Sequence, residues 1–335
     1  MGRHAAAMTI HTELAIVGGG PAGLSAAIEA ARRGIQVTLV DLGTQPGGAL
    51  ALQTHAYDGI GLHGPAIGAL LWRAAESAGA TLLPRTLAWG LFEDRTLGLA
   101  INHGAEGERS ELLHAEVVLI ATGAVDRFTP FPGATLPGVM TATAAMTLMH
   151  RWRVRPGAAV CIVGEEDPIS RHIVQYVRDA GIGNHWSLPS SAGIRAIAGS
   201  DGMLAAVERW DGDTRLPDMP ADALILAEGM QPANELARMI GCAMVWRAPL
   251  GGHVPRHDVG MRTSVPGVLV AGDAAGVGDA GSAMLQGRLA AAAIADRLGR
   301  KKRAFGAFPV TMTAGAFRPV DRDAWRSVRI AEATR

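Results

Sequence analysis

A short run of glycines after an apolar segment is the part of this chain with the clearest chemical potential. Residues 13–17 read Glu-Leu-Ala-Ile-Val, and residues 18–23 read Gly-Gly-Gly-Pro-Ala-Gly. In this pattern Gly18 allows a tight turn out of a strand, Gly20 lets a ligand approach the backbone, and Gly23 lets a helix pack closely. The first turn of such a helix offers unpaired N–H groups and a positive dipole end to phosphates. The pattern therefore predicts a dinucleotide-binding βαβ unit.

A carboxylate completes this unit. Asp41 follows the apolar run at residues 37–40 and lies about 20 residues past the glycines, where an acid accepts ribose hydroxyls. Such a charge-assisted hydrogen bond contributes about 1.5–3 kcal/mol, and the negative charge disfavours a 2′-phosphate. The alternative interpretation is a glycine-rich turn in some other α/β protein.

The elements around the motif alternate between strands and helices, which is typical of α/β proteins. Three strand-like runs after the second helix, at about 80–90, 96–103 and 110–114, look like an antiparallel hairpin set inserted into the sheet domain, and the next strand starts at 115. A second βαβ unit begins with the run at 159–164, a strand that enters a turn. The other predicted elements are strands at 13–17, 36–40, 115–123, 223–229 and 268–273, and helices at 22–33, 64–79, 169–180 and 281–298.

Length, charge and cysteine content exclude several classes of protein and of binding site. The chain has 335 residues, enough for two domains, and 48 % of them are hydrophobic, so a folded core is expected. The net charge of zero speaks against nucleic acid. The two cysteines, Cys161 and Cys242, form no C-x-x-C motif, which predicts no metal or cysteine-ligated cluster within this chain. We expect a cytoplasmic protein with no membrane span.

The order of these motifs, through Gly272-Asp273 before a closing helix, resembles the two-dinucleotide-domain flavoprotein disulfide reductase superfamily over about residues 13–298. The resemblance implies an α/β fold with two Rossmann-like domains, in which the second domain is shortened and inserted in the first. The implied segments are an FAD-binding domain in two parts, a crossing, a degenerate NAD(P)-binding-like domain and a tail. In chain order they are 9–123 (FAD, first part), 124–157 (crossing), 158–229 (NAD(P)-like), 230–300 (FAD, second part) and 301–335 (tail).

The resemblance also implies FAD as the cofactor and assigns residues to it. They are Gly18, Gly20, Pro21, Ala22, Gly23, Asp41, Gly48, Thr122, Gly123, Gly272 and Asp273. In the superfamily the helix after the Gly-Asp pair points its N-terminus at the flavin ring. Helix N-capping is the alternative role for Asp273. No catalytic side chain is identified, although His55, Tyr57 and His63 lie in a loop that could approach the flavin.

A narrower likeness rests on residues 131–139, 262–268, 271–278 and 286–290. These segments resemble the alpha-type subunits of heteromeric amine and amino-acid dehydrogenases, a group that includes opine oxidase, proline and hydroxyproline dehydrogenase, and hydrogen cyanide synthase. The resemblance implies a partner subunit of the D-amino-acid-oxidase type that oxidises the substrate C–N bond. Many alpha-type subunits carry a cysteine-rich C-terminal extension that binds an iron–sulfur cluster. Residues 300–335 contain no cysteine, so the resemblance implies that any such cluster lies in another, small iron–sulfur subunit.

The second nucleotide motif departs from the pattern. Residues 164–170 read Gly-Glu-Glu-Asp-Pro-Ile-Ser, so the second glycine is replaced by Glu166 or displaced by a one-residue insertion. One carboxylate about 4 Å from a phosphate costs about 4 kcal/mol at an effective dielectric of 20, and a micromolar ligand has only about 8 kcal/mol of binding energy. Two carboxylates facing the phosphates would cost about as much as the whole binding energy. We therefore expect no useful NAD(P) affinity, unless these acids point to solvent as residues of a helix start.

Three functions follow from these observations. The first is an FAD-binding electron-transfer subunit of a multi-subunit amino-acid or amine dehydrogenase, with a substrate such as proline, hydroxyproline or an opine. The second is a stand-alone NAD(P)H-dependent flavin oxidoreductase, which would need a working second site. The third is a non-catalytic nucleotide-binding scaffold subunit.

Overall fold

A computed structural model describes residues 9–57, 60–164, 168–190, 192–300, 304–305 and 307–310. Two predictions fall wholly or largely outside these residues: the acids at 165–167 and most of the tail at 301–335. The chain forms two compact units. The first comprises Met1–Ala124 and Gln231–Arg335, and the second comprises Val125–Met230.

Strands and helices alternate along the chain. The helices are α1 (Pro21–Arg32), α2 (Gly64–Ser77), α3 (Ala142–Met146), α4 (Pro168–Asp179), α5 (Glu235–Met239) and α6 (Ala280–Arg297). The strands are β1 (Thr9–Val17), β2 (Val37–Val40), β3 (Thr81–Leu83), β4 (Thr86–Leu91), β5 (Thr96–Ile101), β6 (Arg109–Ile120), β7 (Ala124–Asp126), β8 (Val139–Thr141), β9 (Ala159–Val163), β10 (Asn184–Leu188), β11 (Gly193–Ala198), β12 (Leu204–Asp211), β13 (Thr214–Pro220), β14 (Ala223–Leu226), β15 (Met230–Pro232), β16 (Met244–Arg247), β17 (Gly252–Pro255) and β18 (Val268–Val270).

The first unit is built on a sheet with the order β3-β2-β1-β6-β5-β4, and β18 also pairs with β6. Strand β1 is parallel to both β2 and β6, so it lies in the centre of the sheet. Its residues Leu14 to Val17 are buried, because a central parallel strand is covered on both faces. The parallel strands β1, β2, β6 and β18 end at one edge of this sheet, which is where ligands of such folds bind.

Strand β6 corrects one prediction. The run at 110–114 and the strand predicted from 115 are one continuous strand, Arg109–Ile120. Its first half pairs antiparallel with β5, while its second half pairs parallel with β18. Strand β3 also differs from the prediction, because it pairs parallel with β2 instead of joining the antiparallel set. Local alternation could not reveal this, since strand direction depends on the partners.

The second unit has a smaller parallel sheet with the order β10-β9-β14-β8 and a separate antiparallel sheet, β11-β12-β13. Strand β9 lies between β10 and β14, just as β1 lies between β2 and β6. The helix that follows each of these central strands is α4 in this unit and α1 in the first. The predicted internal repeat of the nucleotide-binding unit is therefore present in the fold. Among the described residues, no helix is long and apolar enough to cross a membrane.

Candidate functional site

The turn from β1 to α1 is set by Gly18. Its φ of +113° lies in a region that side chains rarely adopt. A Cβ here would stand 2.1 Å from the carbonyl oxygen of Ala121, so the chain at the end of β6 leaves no room for one. The Gly18 N–H donates to Val40 O at 2.8 Å, and Ala121 N–H donates to Val17 O at 2.8 Å. The ends of β1, β2 and β6 thus hold this turn from both sides.

Beyond the turn, the backbone is open where a ligand would approach. A Cβ on Gly20 would meet no atom within 4 Å. Helix α1 begins at Pro21 with Gly20 as its N-cap, and it has neither a side-chain cap nor an acidic residue in its first turn. Its first N–H groups and positive dipole end are therefore left to a ligand. Gly48 lies against the other side of Gly20, because a Cβ added to Gly48 would lie 3.0 Å from Gly20 Cα.

The Asp41 carboxylate is attached to this turn. Its Oδ2 accepts a hydrogen bond from Gly19 N–H at 2.5 Å, and its Oδ1 accepts one from Gly43 N–H at 2.8 Å. A Cβ on Gly19 would lie 3.0 Å from the same carboxyl group. The acid at the end of β2 is therefore fixed in orientation beside the glycines before any ribose arrives.

The Gly272-Asp273 pair after β18 lies beside the start of α1. Gly272 has a φ of +68°, and a Cβ on it would lie 2.8 Å from Ala22 Cβ on α1. Its N–H donates to Oε1 of Gln286 on α6 at 2.8 Å. Asp273 lies in the 3-10 turn Gly272–Ala275, and its Oδ1 accepts from Gly278 N–H at 3.0 Å. Capping α6 is not its role, because α6 begins at Ala280 and its N-cap is Asp279.

The N-terminus of α6 is capped by the side chain of Asp279. Its carboxylate accepts hydrogen bonds from Ser282 N–H at 2.8 Å and from the Ser282 hydroxyl at 2.9 Å, and only 3 % of Asp279 is exposed. The N-terminus of α1 is open, whereas that of α6 carries a buried acidic side chain. The sequence reasoning missed Asp279 and Gln286. The signal for Asp279 was available, since it is an acid three residues before a serine at a helix start.

The structure thus brings the predicted cofactor residues to one edge of the first unit. Thr122 and Gly123 directly follow Ala121, and the Thr122 hydroxyl donates to Ala233 O. Of the loop residues considered for catalysis, Tyr57 is 5 % exposed and its hydroxyl donates to Gln53 Oε1. The rings of His55 and Tyr57 lie 4.8 Å apart, and His63 is the N-cap of α2. The roles of all these residues toward a ligand remain predictions.

The second unit repeats the strand exit of the first. Gly164 has a φ of +116°, and a Cβ on it would lie 2.0 Å from Ala227 O. Its N–H donates to Leu188 O at 2.9 Å. The acids that follow, at 165–167, lie outside the described residues, so the replacement at Glu166 and the one-residue insertion both stand as predictions.

Each unit holds one cysteine in its core. Both Cys161, in β9, and Cys242 are buried. Burial raises the pKa of the Cys161 thiol to about 12, although nearby Arg209 opposes the shift. Burial also raises the pKa of Cys242, against an opposing hydrogen bond with Thr263. Burial therefore disfavours the reactive thiolate form of both cysteines. No cluster of His, Cys, Asp and Glu suited to a metal ion occurs in the described parts of the chain.

Several known proteins are similar to this chain in sequence. A family model described as pyridine nucleotide-disulphide oxidoreductase matches residues 12–165. The A subunit of opine oxidase from Rhizobium meliloti (strain 1021) is 30 % identical to this chain, over 85 % of this chain and 71 % of that protein. The alpha subunit of sarcosine oxidase from the same strain is 29 % identical, over 86 % of this chain and 31 % of that protein.

A solved structure shows the same fold. L-proline dehydrogenase from P. horikoshii matches 90 % of this chain and 58 % of its own chain, with a TM-score of 0.77 and 24 % identity. The matches confirm the predicted fold class and the predicted resemblance. The chain spans about three fifths of the proline dehydrogenase chain and about a third of the sarcosine oxidase polypeptide.

Proposed function

Since this chain belongs to the pyridine nucleotide-disulphide oxidoreductase family, in which it is related to the opine oxidase A chain, we propose that it is the FAD-binding electron-transfer subunit of a heteromeric amino-acid or amine dehydrogenase. Its class, an FAD-dependent oxidoreductase, is the one predicted from the sequence and is borne out by these relatives. Relatives named as subunits also support heteromeric assembly in general. The cofactor residues, the substrate class and the type of partner belong to the proposal.

The observation that carries the proposal is the open backbone at Gly20. A Cβ there would meet nothing within 4 Å, while Gly48 lies against the other side of the same residue. An uncapped helix end stands directly behind it. This is a cradle for a pyrophosphate with no side chain in its way, so the residues present fit an FAD.

Each residue then has a distinct task. The N–H groups at the start of α1 bind the phosphates, and Asp41 accepts hydrogen bonds from the adenosine ribose. Gly272 lets its turn lie against α1, and Asp273 binds hydroxyls of the ribityl chain. The flavin supplies the electron transfer, and the protein supplies its position and its electrostatic surroundings. Two electrons would arrive from a partner subunit that oxidises a C–N bond, and they would leave singly to an iron–sulfur protein or a quinone.

A second candidate is a stand-alone NAD(P)H-dependent flavin oxidoreductase. One observation favours it: a Cβ added to Gly164 would lie 2.0 Å from the facing carbonyl oxygen, and one added to Gly18 would lie 2.1 Å from its own. The two strand exits are therefore alike. Against this candidate stands the acidic sequence at 165–167. A scaffold subunit with a structural nucleotide is the third candidate.

An anaerobic titration of the purified chain with NADH and then NADPH, monitored at the oxidised flavin band, separates the three. We expect a yellow protein with one FAD per chain that stays oxidised. Prompt bleaching would instead establish the stand-alone reductase. If no FAD binds to the chain alone or in complex with its co-purified partner, the electron-transfer role is wrong. An Asp273→Ala complex that loses this FAD and keeps full activity would favour the scaffold.

A further inference from the structure

A buried carboxylate lies between helices α1 and α6. Glu29 on α1 is 3 % exposed. Its Oε1 accepts from Arg33 Nε at 3.0 Å and lies 2.9 Å from Arg33 Nη2. Its Oε2 lies 3.7 Å from Nε of Arg288 on α6. A buried carboxylate is tolerated only with such cationic partners, so Glu29 ties the two helices together.

A segment that follows α6 covers this ion cluster. We call the described residues 304–305 and 307–310 the strap. The Arg288 guanidinium carbon lies 4.5 Å from the ring centroid of Phe305 and 4.8 Å from that of Phe308. Both distances are within the range of cation–π attraction. Arg32 Nη1 donates to Ala307 O at 2.7 Å, and Val310 at the end of the strap is buried.

The same stretch of α6 touches the proposed cofactor site. Gln286 accepts the hydrogen bond of Gly272 N–H at 2.8 Å. At Gly287 a Cβ would lie 2.1 Å from Ala22 O, so α6 and the start of α1 are in backbone contact there. The next residue, Arg288, contacts the aromatic rings of the strap. Three consecutive residues therefore connect the Gly-Asp turn, the phosphate-binding helix and the strap.

We propose that the strap is a positioning element of the cofactor site. By holding Arg288 over Glu29, it keeps the α1–α6 contact closed, and that contact sets the separation between Ala22 and Gly272. A loosened strap would let α6 shift along α1, and the Gly272 turn would shift with it because Gln286 holds that turn. As far as it concerns FAD, the inference rests on the proposed function.

Hydrogen–deuterium exchange on the full chain without ligand tests the strap directly. In a Phe305→Ala/Phe308→Ala double variant we expect amides in peptides covering 18–24 and 271–278 to exchange at least about tenfold faster. Peptides covering 96–101 and 204–211 should be unchanged. Phe92→Ala is the matched control, since Phe92 is an exposed aromatic residue of the same unit whose ring packs against Trp89, 5.8 Å between centroids. Unchanged exchange at both site peptides would overturn the proposal.

FAD binding gives the second readout. We expect the double variant to bind FAD about tenfold more weakly than wild type, and to show an altered visible circular dichroism of the bound flavin. Phe305→Tyr/Phe308→Tyr keeps both rings and should restore the wild-type values, whereas Phe305→Leu/Phe308→Leu keeps apolar bulk without the rings and should not. Faster exchange in the double variant of a chain whose wild type takes up no FAD would support the strap and refute the proposed function. Should the alanine variant not fold, Arg288→Lys, which keeps the charge and loses the planar stacking, takes its place with the same expectations.

Discussion

The two strand-to-helix crossovers of this protein begin alike and then diverge. Gly18 and Gly164 have φ values of +113° and +116°, and each faces a backbone carbonyl that excludes a side chain. In both units the next residue after the central strand hydrogen-bonds to the neighbouring strand, at 2.8 and 2.9 Å. The difference lies in the residues that follow, which read Gly-Gly-Pro-Ala-Gly at 19–23 and Glu-Glu-Asp-Pro-Ile at 165–169. Strand pairing thus preserves the turn in both units, while the sequence after the turn differs.

The largest effect should come from filling the open space at Gly20. Gly20→Val puts a side chain where nothing lies within 4 Å, at a φ of −80° that valine tolerates, so the fold should persist. We expect FAD affinity to fall at least about 1,000-fold, or about 4 kcal/mol, as measured by fluorescence titration. Gly183→Val is the matched control in the second unit, where a Cβ also meets nothing within 4 Å. A stoichiometrically yellow Gly20→Val protein would refute the site.

Alanine at the two strand exits tests their equivalence. Gly18→Ala and Gly164→Ala each place a Cβ about 2 Å from a carbonyl oxygen, in addition to the strain of a positive φ. Each should lower the free energy of unfolding of its own unit by more than about 3 kcal/mol. Hydrogen exchange resolved by peptide would locate the loss. Equal losses of unfolding free energy would support the equivalence of the two strand exits. A Gly164→Ala variant with unchanged stability would refute that equivalence.

The cysteines report on each unit separately. Cys242 belongs to the first unit and Cys161 to the second, and both need local opening to react because both are buried. Burial also raises their pKa values. FAD at ten times its dissociation constant should slow labelling of Cys242 about tenfold, or about 1.4 kcal/mol, and leave Cys161 unchanged. NADH should slow neither. Protection of Cys161 by NADH, quantified by mass spectrometry at pH 8, would show that the second unit binds nicotinamide.

The smallest effect is expected at the acidic motif. Glu166→Gly removes one carboxylate, but Glu165 and Asp167 of the same motif remain. We therefore expect the rate of NADH oxidation to change less than about twofold, or about 0.4 kcal/mol. A Glu166→Gln variant controls for charge alone. A large gain for glycine with none for glutamine would show that side-chain bulk at this position closes the site.

Sequence patterns predicted the parts of the fold that depend on local chemistry. The glycine spacing, the apolar strand and Asp41 predicted the βαβ unit, and α1 and α6 begin one residue before their predicted starts. Strand direction was not predictable, as β3 and β6 show, because it depends on which distant strand provides the hydrogen bonds. The strap was equally out of reach, since Arg288, Phe305 and Glu29 share no periodicity and meet only through the packing of α1 on α6.

The split of the first unit around the second has a consequence for synthesis. Residues 125–230 are contiguous and can fold as soon as they leave the ribosome, whereas the first unit waits for β18 and α6, which end at Arg297. The glycine turn is made early, but the Gly272 turn beside it is translated about 250 residues later. Until β18 is made, the nascent chain therefore carries an unfinished sheet edge at β6, the kind of surface that favours aggregation. The second half of the proposed FAD cradle is complete only after the whole second unit has been translated.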